Sequence, residues 1–252
     1  MNQSICMTLE KNIGENRYKH IYVFGCSHSL NTNSIDTNCK SYSDHLAEKL
    51  NIPIENVYNY AINGSSNSEN LYYLNCVNSN LSFFHPNNDI RNQKYDYELP
   101  KEIYDDSLII FQLTYWYRTA FQHSLEKKNG YYKIVPISPH RINDDNDINI
   151  FTDIFYEKLS NEIFLQRNSV LPIYYTLKGI GDERHNVSTI LLSWDCVLND
   201  ITKYIESDLT NLQQLSIDNN WTCHSKLKNN DLHLSPSGYS EFSDYLLKYI
   251  TH

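Results

Sequence analysis

Glycine, proline and long apolar runs are scarce in this sequence. Its 252 residues include only 7 glycines and 7 prolines, while 40% of the residues are hydrophobic. This composition is that of a globular chain and excludes collagen-like or low-complexity structure. No segment is apolar over the roughly eighteen residues that a membrane-spanning helix needs, and the N-terminus lacks an apolar run of signal-peptide length. We therefore expect a soluble, cytoplasmic protein.

Positive charge is scarce as well. Lys and Arg number 21 against 30 Asp and Glu, and the formal net charge is -9. No basic run is available to neutralise phosphate groups. The sequence therefore predicts neither a nucleic-acid partner nor binding to an anionic membrane.

Paired cysteines and metal-ligand patterns are absent from the sequence. Without a Cys-x-x-Cys pair, neither a zinc ribbon nor a redox motif is indicated, and we expect free thiols that are partly buried. The cysteines are Cys6, Cys26, Cys39, Cys76, Cys196 and Cys223. Several histidines also lack ligand spacing, namely His85, His123, His140, His185 and His224. We expect no metal and no cofactor.

Short apolar runs alternate with segments of helical periodicity. Strands are predicted at 20–25, 56–62, 106–116 and 189–195, with a short one near 221–224, and helices at 41–50, 67–81, 150–178, 198–220 and 237–250. This alternation favours βαβ units and a mainly parallel sheet that is covered on both faces. The run at 106–116 is the most apolar and is predicted to be central.

The length favours one α/β domain over two small ones. We expect this domain to span 1–252, with a loose polar lead-in over 1–18. The stretch 117–150 holds two prolines and an acidic cluster, and is predicted to be an irregular insertion.

Polar residues follow three of the predicted strands, at the edge of the sheet where open α/β proteins bind ligands. Ser27 follows the first strand through a Gly-Cys turn, where its N–H can bind an anion, although a plain turn has the same pattern. Gly64 follows the second strand and can present its N–H without a side chain, although Asn-Gly is also a frequent hairpin turn. Thr114 and Arg118 follow the central strand.

The segment "NNDLHLSPSGY" precedes the last predicted helix. Asp231 and His233 stand one residue apart in it and are candidates for an acid and a base. Ser235 and Pro236 are predicted to be the N-cap and the first residue of the helix. His28 is predicted to be a turn residue and not a second base.

Together these segments resemble the SGNH (GDSL-type) hydrolase superfamily. That family has a serine in a Gly-Asp-Ser motif after the first strand, a glycine after the second, an asparagine after the third and an Asp/His block before the last helix. Here Ser27 stands in Gly-Cys-Ser with Cys26 in place of the aspartate, Gly64 matches the oxyanion glycine, and 231–239 match the last block. The resemblance implies a three-layer α/β/α, flavodoxin-like fold with a mainly parallel sheet.

Two blocks depart from the family pattern. After the third strand the asparagine is missing, and Thr114, Asn67 or Arg118 would have to replace a donor whose loss can cost about a hundred- to a thousandfold in turnover. The sequence resembles a divergent branch, found in phages among other places, with a Thr and an Arg after this strand.

In the last block, the usual position of the acid, three residues before the histidine, is occupied by Asn230. Asp231 is the predicted acid, since related polysaccharide O-acetyltransferases also have Asp-x-His. An orienting Asn230, or a Ser-His dyad without an acid, stays open.

The resemblance implies acyl transfer, with Ser27 as nucleophile and His233 as general base and then general acid. The oxyanion would lie on the N–H groups of Ser27 and Gly64. The predicted protein is a serine esterase or O-acyltransferase acting on a small-molecule or glycan ester, with an acetylated carbohydrate as one candidate. The alternative is a catalytically weak or inactive member that binds a ligand or protein at the same strand ends. The sequence does not predict the oligomeric state.

Overall fold

A five-stranded sheet forms the centre of the structure. The computed structural model describes residues 7–8, 17–30, 39–83, 85, 100, 102–128, 131–139, 145–159, 161–195, 199–202, 204–205, 211–223 and 232–250. Within this part of the chain the strands of the sheet are β1 (Met7–Thr8), β2 (His20–Phe24), β3 (Val57–Asn59), β4 (Ser107–Leu113) and β7 (Ser188–Ser193). A separate pair comprises β5 (Thr119–Lys128) and β6 (Tyr131–Ile137).

The strand order of the sheet is β1-β7-β4-β2-β3. The strands β7, β4, β2 and β3 are parallel to one another, and β1 pairs antiparallel with β7. Numbered along the chain, the parallel strands therefore lie in the order 2-1-3-4, which is the beginning of the flavodoxin-like order. The strand order reverses between β2 and β4. Open α/β sheets bind their ligands at the carboxyl ends of the strands beside such a reversal.

The register of the sheet buries β4 completely. Ile21 of β2 pairs with Val57 of β3 on one side and with Leu108 of β4 on the other, and Leu108 pairs in turn with Ser188 of β7. All residues of β4 are buried, as expected for an interior parallel strand. The prediction of a central strand here is confirmed.

The helices follow the predicted alternation. They are α1 (Tyr42–Lys49), α2 (Asn67–Asn78), α3 (Asn146–Ile154), α4 (Glu162–Glu183), α5 (Asn199–Thr202), α6 (Leu212–Asp218) and α7 (Pro236–Ile250). Short 3₁₀ helices occupy Ser27–Ser29 and Ile54–Asn56, and a π-helical turn occupies Phe155–Leu159. Ser41 caps α1 in a capping box with Asp44, which explains why this helix begins there.

Two apolar cores lie on opposite faces of the sheet because side chains alternate along each strand. Ile21 and Val23 of β2 pack in the core that contains residues of α1 and α7. Tyr22 and Phe24 pack in the other core, with residues of α2 and α4. The predicted three-layer α/β/α fold with a mainly parallel sheet is thus confirmed.

The prediction of an irregular stretch at 117–150 was wrong. β5 and β6 form an antiparallel hairpin there, and Pro136 lies within β6 opposite Ala120. A proline is tolerated in such a strand because a two-stranded sheet consists of edge strands, whose outward N–H groups need no partner. The description of this stretch as an insertion into a single domain of 1–252 stays a prediction.

The prediction of one long helix at 198–220 was also wrong. The described residues of this stretch form α5 and α6, and Asn211 between them forms a parallel bridge to Ser193. The Asn211 side chain then accepts a hydrogen bond from the Gln214 N–H at 3.0 Å. Asn211 therefore begins a new helix as an N-cap, a role that its short polar side chain favours over an interior helical position.

The lead-in over 1–18 contains β1, which was not expected from its polar sequence. Met7 and Thr8 pair with Ile190 and Thr189 of β7. Four cysteines in the described part of the chain, Cys26, Cys39, Cys76 and Cys223, are buried free thiols as predicted. None of the described helices combines the length and the apolar character needed to cross a membrane.

Candidate active site at the carboxyl ends of the strands

Gly25 follows β2 in a turn that leaves no room for a side chain. A Cβ at this position would lie 2.6 Å from Ser29 Oγ and 3.2 Å from Gln112 Cβ. The Gly25 carbonyl accepts hydrogen bonds from the Ile62 N–H at 3.1 Å and from the Ser65 hydroxyl at 2.8 Å. The turn after β2 is therefore fastened to the loop after β3.

Ser27 begins the 3₁₀ helix directly beyond this turn. The Ser29 N–H donates to the Cys26 carbonyl at 2.9 Å. The Leu30 N–H donates to the Ser27 carbonyl at 3.2 Å. Ser27 itself is buried, with 7% of its surface exposed. Among the backbone hydrogen bonds of the described residues, none has the Ser27 N–H as donor.

A buried network around Ser29 holds the far end of the 3₁₀ helix. The Ser29 hydroxyl donates to Gln112 Oε1 and lies 3.0 Å from the Tyr42 hydroxyl. The Asn59 amide donates to the Ser29 carbonyl at 2.9 Å. These contacts connect the helix to residues of β4, α1 and β3, and they fix its position relative to the sheet.

Gly64 occupies the turn between β3 and α2. The Ser65 N–H donates to the Ile62 carbonyl at 3.1 Å, and Gly64 has a φ of 72°. A positive φ at the third position of a four-residue turn favours glycine. The chain continues into α2, so the Asn-Gly pair does not form a hairpin. The Gly64 N–H, like that of Ser27, donates no hydrogen bond within the described part of the chain.

Asn67 joins the start of α2 to the end of β4. Its Oδ1 accepts from the Thr114 N–H at 2.7 Å, and its Nδ2 donates to the Thr114 carbonyl at 3.3 Å. Both residues are buried. The Asn67 side chain thus pairs with the N–H and the carbonyl of Thr114, as the backbone of a neighbouring strand would. This contact uses one of the two Nδ2 hydrogens.

Thr114 and Arg118 are in direct contact beyond β4. Arg118 Nη1 donates to Thr114 Oγ1 at 3.2 Å, and the guanidinium lies 4.8 Å from the centre of the Tyr115 ring. Because Oγ1 accepts this bond from a cation, its own hydrogen is free to donate and is made more acidic. The pair therefore offers a polarised hydroxyl donor at the end of β4.

His233 is held in place through the backbone of its segment. The Cys223 N–H donates to the His233 carbonyl at 2.9 Å, and the Ser235 N–H donates to the Trp221 carbonyl at 2.7 Å. The short strand predicted near 221–224 is represented by one antiparallel bridge between Thr222 and Leu234.

The start of α7 is confirmed as predicted. Ser235 Oγ accepts the Gly238 N–H at 3.0 Å and so caps the helix, which begins at Pro236. A Cβ on Gly238 would lie 2.0 Å from the Trp221 carbonyl oxygen. This close approach fixes α7, and with it the segment of His233, against the backbone of Trp221.

The structure brings His233 next to the residue that follows Ser27. The ring centroids of His233 and His28 are 4.5 Å apart, with an angle of 26° between the planes. On the other side, the His28 ring lies 3.6 Å from the Trp194 ring at 14°. His28 was predicted to be a turn residue; it lies in the 3₁₀ helix and is buried between the two rings.

Trp194 was not singled out from the sequence. It follows β7, and its N–H donates to the Leu113 carbonyl at 2.9 Å. The signal was available, because the end of the fourth parallel strand is equivalent to the strand ends that carry Ser27, Gly64 and Thr114. Asp231 and Asn230 lie outside the described residues.

Burial dominates the electrostatics near these residues. It raises the pKa of Tyr42, Tyr115 and Tyr239 above the ordinary tyrosine value. These hydroxyl groups therefore stay protonated at neutral pH and can act as hydrogen-bond donors. Within the described ranges, no group of three or more His, Cys, Asp or Glu side chains is arranged to hold a metal ion.

Comparison with known proteins leaves the family open. No protein-family model matches the sequence, and no curated protein matches it. Among solved structures, the chain is similar to a candidate lipolytic protein of the G-D-S-L family from Desulfitobacterium hafniense, at 11% sequence identity and a TM-score of 0.38. The match covers 91% of this chain and 98% of that one.

Proposed function

We propose that the protein is a serine esterase or acyl hydrolase of the SGNH type, which removes or transfers a small acyl group. The observation that carries the proposal is the contact between His28 and His233, because it joins the C-terminal histidine segment to the turn of Ser27. The Ser27 hydroxyl, the His233 imidazole and two N–H groups that have no acceptor among the described residues then belong to one edge of the sheet. This edge lies at the reversal of strand order, where ligands of such folds bind.

Ser27 is the proposed nucleophile. Its Oγ attacks the acyl carbon of the ester while His233 takes the hydroxyl proton as general base. His233 then returns that proton to the leaving alcohol, and an acyl-enzyme remains. Water, or an acceptor alcohol in the case of a transferase, then attacks the acyl carbon of the acyl-enzyme while His233 takes its proton. His233 returns that proton to Ser27 Oγ as the acyl–Oγ bond breaks. Base catalysis of this kind contributes about a hundred- to ten-thousandfold.

The proposed oxyanion site consists of the backbone N–H groups of Ser27 and Gly64. Both groups have no protein acceptor in the described part of the chain. The hydroxyl of Thr114, polarised by Arg118, is the third donor. It would take the role of the asparagine that SGNH hydrolases have and this chain lacks. Asn67 cannot take that role in the same way, because it accepts the Thr114 N–H and holds Thr114 in place.

The substrate is proposed to be a small acyl ester of a small molecule or a glycan, with an acetyl group as one candidate. The site lies beyond the strand ends, and the loop after β4 adds Tyr115 and Tyr117, whose rings are stacked at 5.3 Å. Aromatic faces of this kind suit the apolar faces of sugar rings. No part of the proposed chemistry requires a metal or a cofactor.

The experiment that tests the proposal is covalent labelling with a fluorophosphonate, which bonds to an activated serine Oγ and releases fluoride. We expect one label, located on Ser27 by mass spectrometry and absent in Ser27→Ala and His233→Ala. His185→Ala is the matched control, since His185 is exposed and its carbonyl bonds to Asp106 just before β4, at the opposite edge of the sheet. An unlabelled native protein would instead support a catalytically inactive binding module.

The proposed acid is tested by turnover of an aryl acetate. If Asp231 orients His233, Asp231→Ala lowers kcat by about 10⁴ while Asn230→Ala retains most of it. The reverse pattern would assign the role to Asn230. Full activity in both variants would leave a Ser27–His233 dyad.

A further inference from the structure

Three rings from distant parts of the sequence are stacked beside Ser27. The His28 ring lies between Trp194, at 3.6 Å, and His233, at 4.5 Å between ring centroids. The angles between the planes are 14° and 26°, so both contacts are face to face. Trp194 and His28 are buried, with 2% and 6% of their surface exposed.

The base of this stack is rigid. The backbone of Trp194 is bonded on both sides, since its N–H donates to Leu113 and its carbonyl accepts the Gln213 N–H at 3.1 Å. His28 lies in the 3₁₀ helix that the network around Ser29 connects to the sheet. The His233 ring therefore rests on a platform whose two lower members have fixed positions.

The stack restricts how the His233 ring can turn. One face of the imidazole is covered, and tipping the ring out of plane would push it into His28. The backbone from which the ring extends is held by the bond from the Cys223 N–H to the His233 carbonyl. An imidazole must present its nitrogen edge to the nucleophile in order to act as a base.

We infer that His28 is a positioning residue that sets the plane and location of the His233 ring relative to Ser27. This inference rests on the proposed function. A single residue suits this role because His28 is covalently adjacent to the nucleophile and in ring contact with the base. His28 transfers no proton to His233 in this arrangement, since the ring nitrogens lie in the planes and the contact is between faces.

Three substitutions of His28 distinguish a role of the planar ring in positioning His233 from a role of side-chain volume alone. His28→Phe keeps a planar ring, His28→Leu fills the space without a plane, and His28→Ala removes the platform. For an aryl acetate we expect kcat to fall by about ten- to a hundredfold in the Ala and Leu variants, with KM changed less than about twofold. The Phe variant should stay within a few-fold of the native kcat. The rate of fluorophosphonate labelling should likewise be close to native in the Phe variant and lower in the Leu and Ala variants.

A matched control is His20→Leu, because His20 also stacks on an aromatic ring, Tyr58 at 5.9 Å, but at the opposite end of β2. Circular dichroism and thermal unfolding check that all variants are folded. If His28→Ala does not fold, the comparison of Phe with Leu still decides.

Equal labelling and kcat in native protein and in the Leu variant would overturn this inference alone, as would equal losses in Phe and Leu. Absence of labelling in the native protein would overturn the proposed function and this inference together.

Discussion

The hydroxyl of Tyr239 donates a hydrogen bond to the carbonyl of Leu30 at 2.6 Å. Tyr239 belongs to the first turn of α7, just after the segment of His233, and Leu30 closes the 3₁₀ helix that begins at Ser27. This bond therefore links the two segments that carry the proposed nucleophile and the proposed base. Like the ring stack, it holds the two segments together, but it does so through the backbone carbonyl of Leu30.

Tyr239→Phe removes this link without changing the ring. We expect kcat to fall by about tenfold with little change in KM, and the free energy of unfolding to fall by about 1 kcal/mol. Tyr249→Phe is the control, because the hydrogen bond of its hydroxyl among the described residues goes to another tyrosine side chain, Tyr245 at 3.1 Å, in the last turns of the same helix. Equal activity of the Tyr239→Phe and Tyr249→Phe variants would contradict a functional role for this hydrogen bond.

Thr114→Val keeps the shape of the side chain and removes the hydroxyl. If this hydroxyl is the third oxyanion donor, kcat should fall by about a hundredfold, whereas Thr114→Ser should stay within a few-fold of the native value. Steady-state kinetics on an aryl acetate measure both. Comparable activity of the Val and Ser variants would show that Thr114 does not donate to the oxyanion.

Gly25→Ala should destabilise the protein by about 1 to 3 kcal/mol, because the new Cβ would lie 2.6 Å from Ser29 Oγ and 3.2 Å from Gln112 Cβ. It should also lower kcat, since the turn of Ser27 must shift. Gly179→Ala in α4 meets no atom within 4 Å and should be neutral or stabilising by about 0.5 to 1 kcal/mol. Denaturant titration distinguishes the two, and similar effects would refute the steric argument.

His85 makes the stability of the protein depend on pH. Burial lowers its pKa from 6.5 to about 4, against the opposing effect of the Nε2 bond to the Tyr60 carbonyl at 2.8 Å. Above pH 6.5 the group is neutral in both the folded and the unfolded chain, so it contributes no pH dependence. Between that value and about pH 4 only the unfolded chain binds the proton, so stability falls by about 3 kcal/mol as pH falls.

His85→Gln tests this assignment, since glutamine keeps an N–H donor but does not titrate. Denaturant titrations at several pH values between 7 and about 4 should show a shallower loss of stability in the variant than in the native protein. Parallel curves would mean that His85 is not the group responsible.

The architecture could be predicted because it depends on local patterns. The apolar run of β4 marks a buried parallel strand, and the alternation of strands with helices limits the topology to few choices. Ser235 and Pro236 defined the start of α7 because capping involves neighbours in sequence. The same locality explains one failure: the prolines near 136 suggested irregular chain, and whether a strand is an edge strand is not a local property.

The same distinction between local and non-local information applies to the residues of the candidate site. The sequence by itself placed Ser27, Gly64 and Thr114 after strands, since strand ends can be read from neighbouring residues. The tertiary structure alone decided that His233 lies beside the Ser27 turn, that Arg118 bonds to Thr114, and that Trp194 and His28 form a stacked platform. Contacts between residues so distant in sequence depend on strand order and helix packing, and no local pattern contains that information.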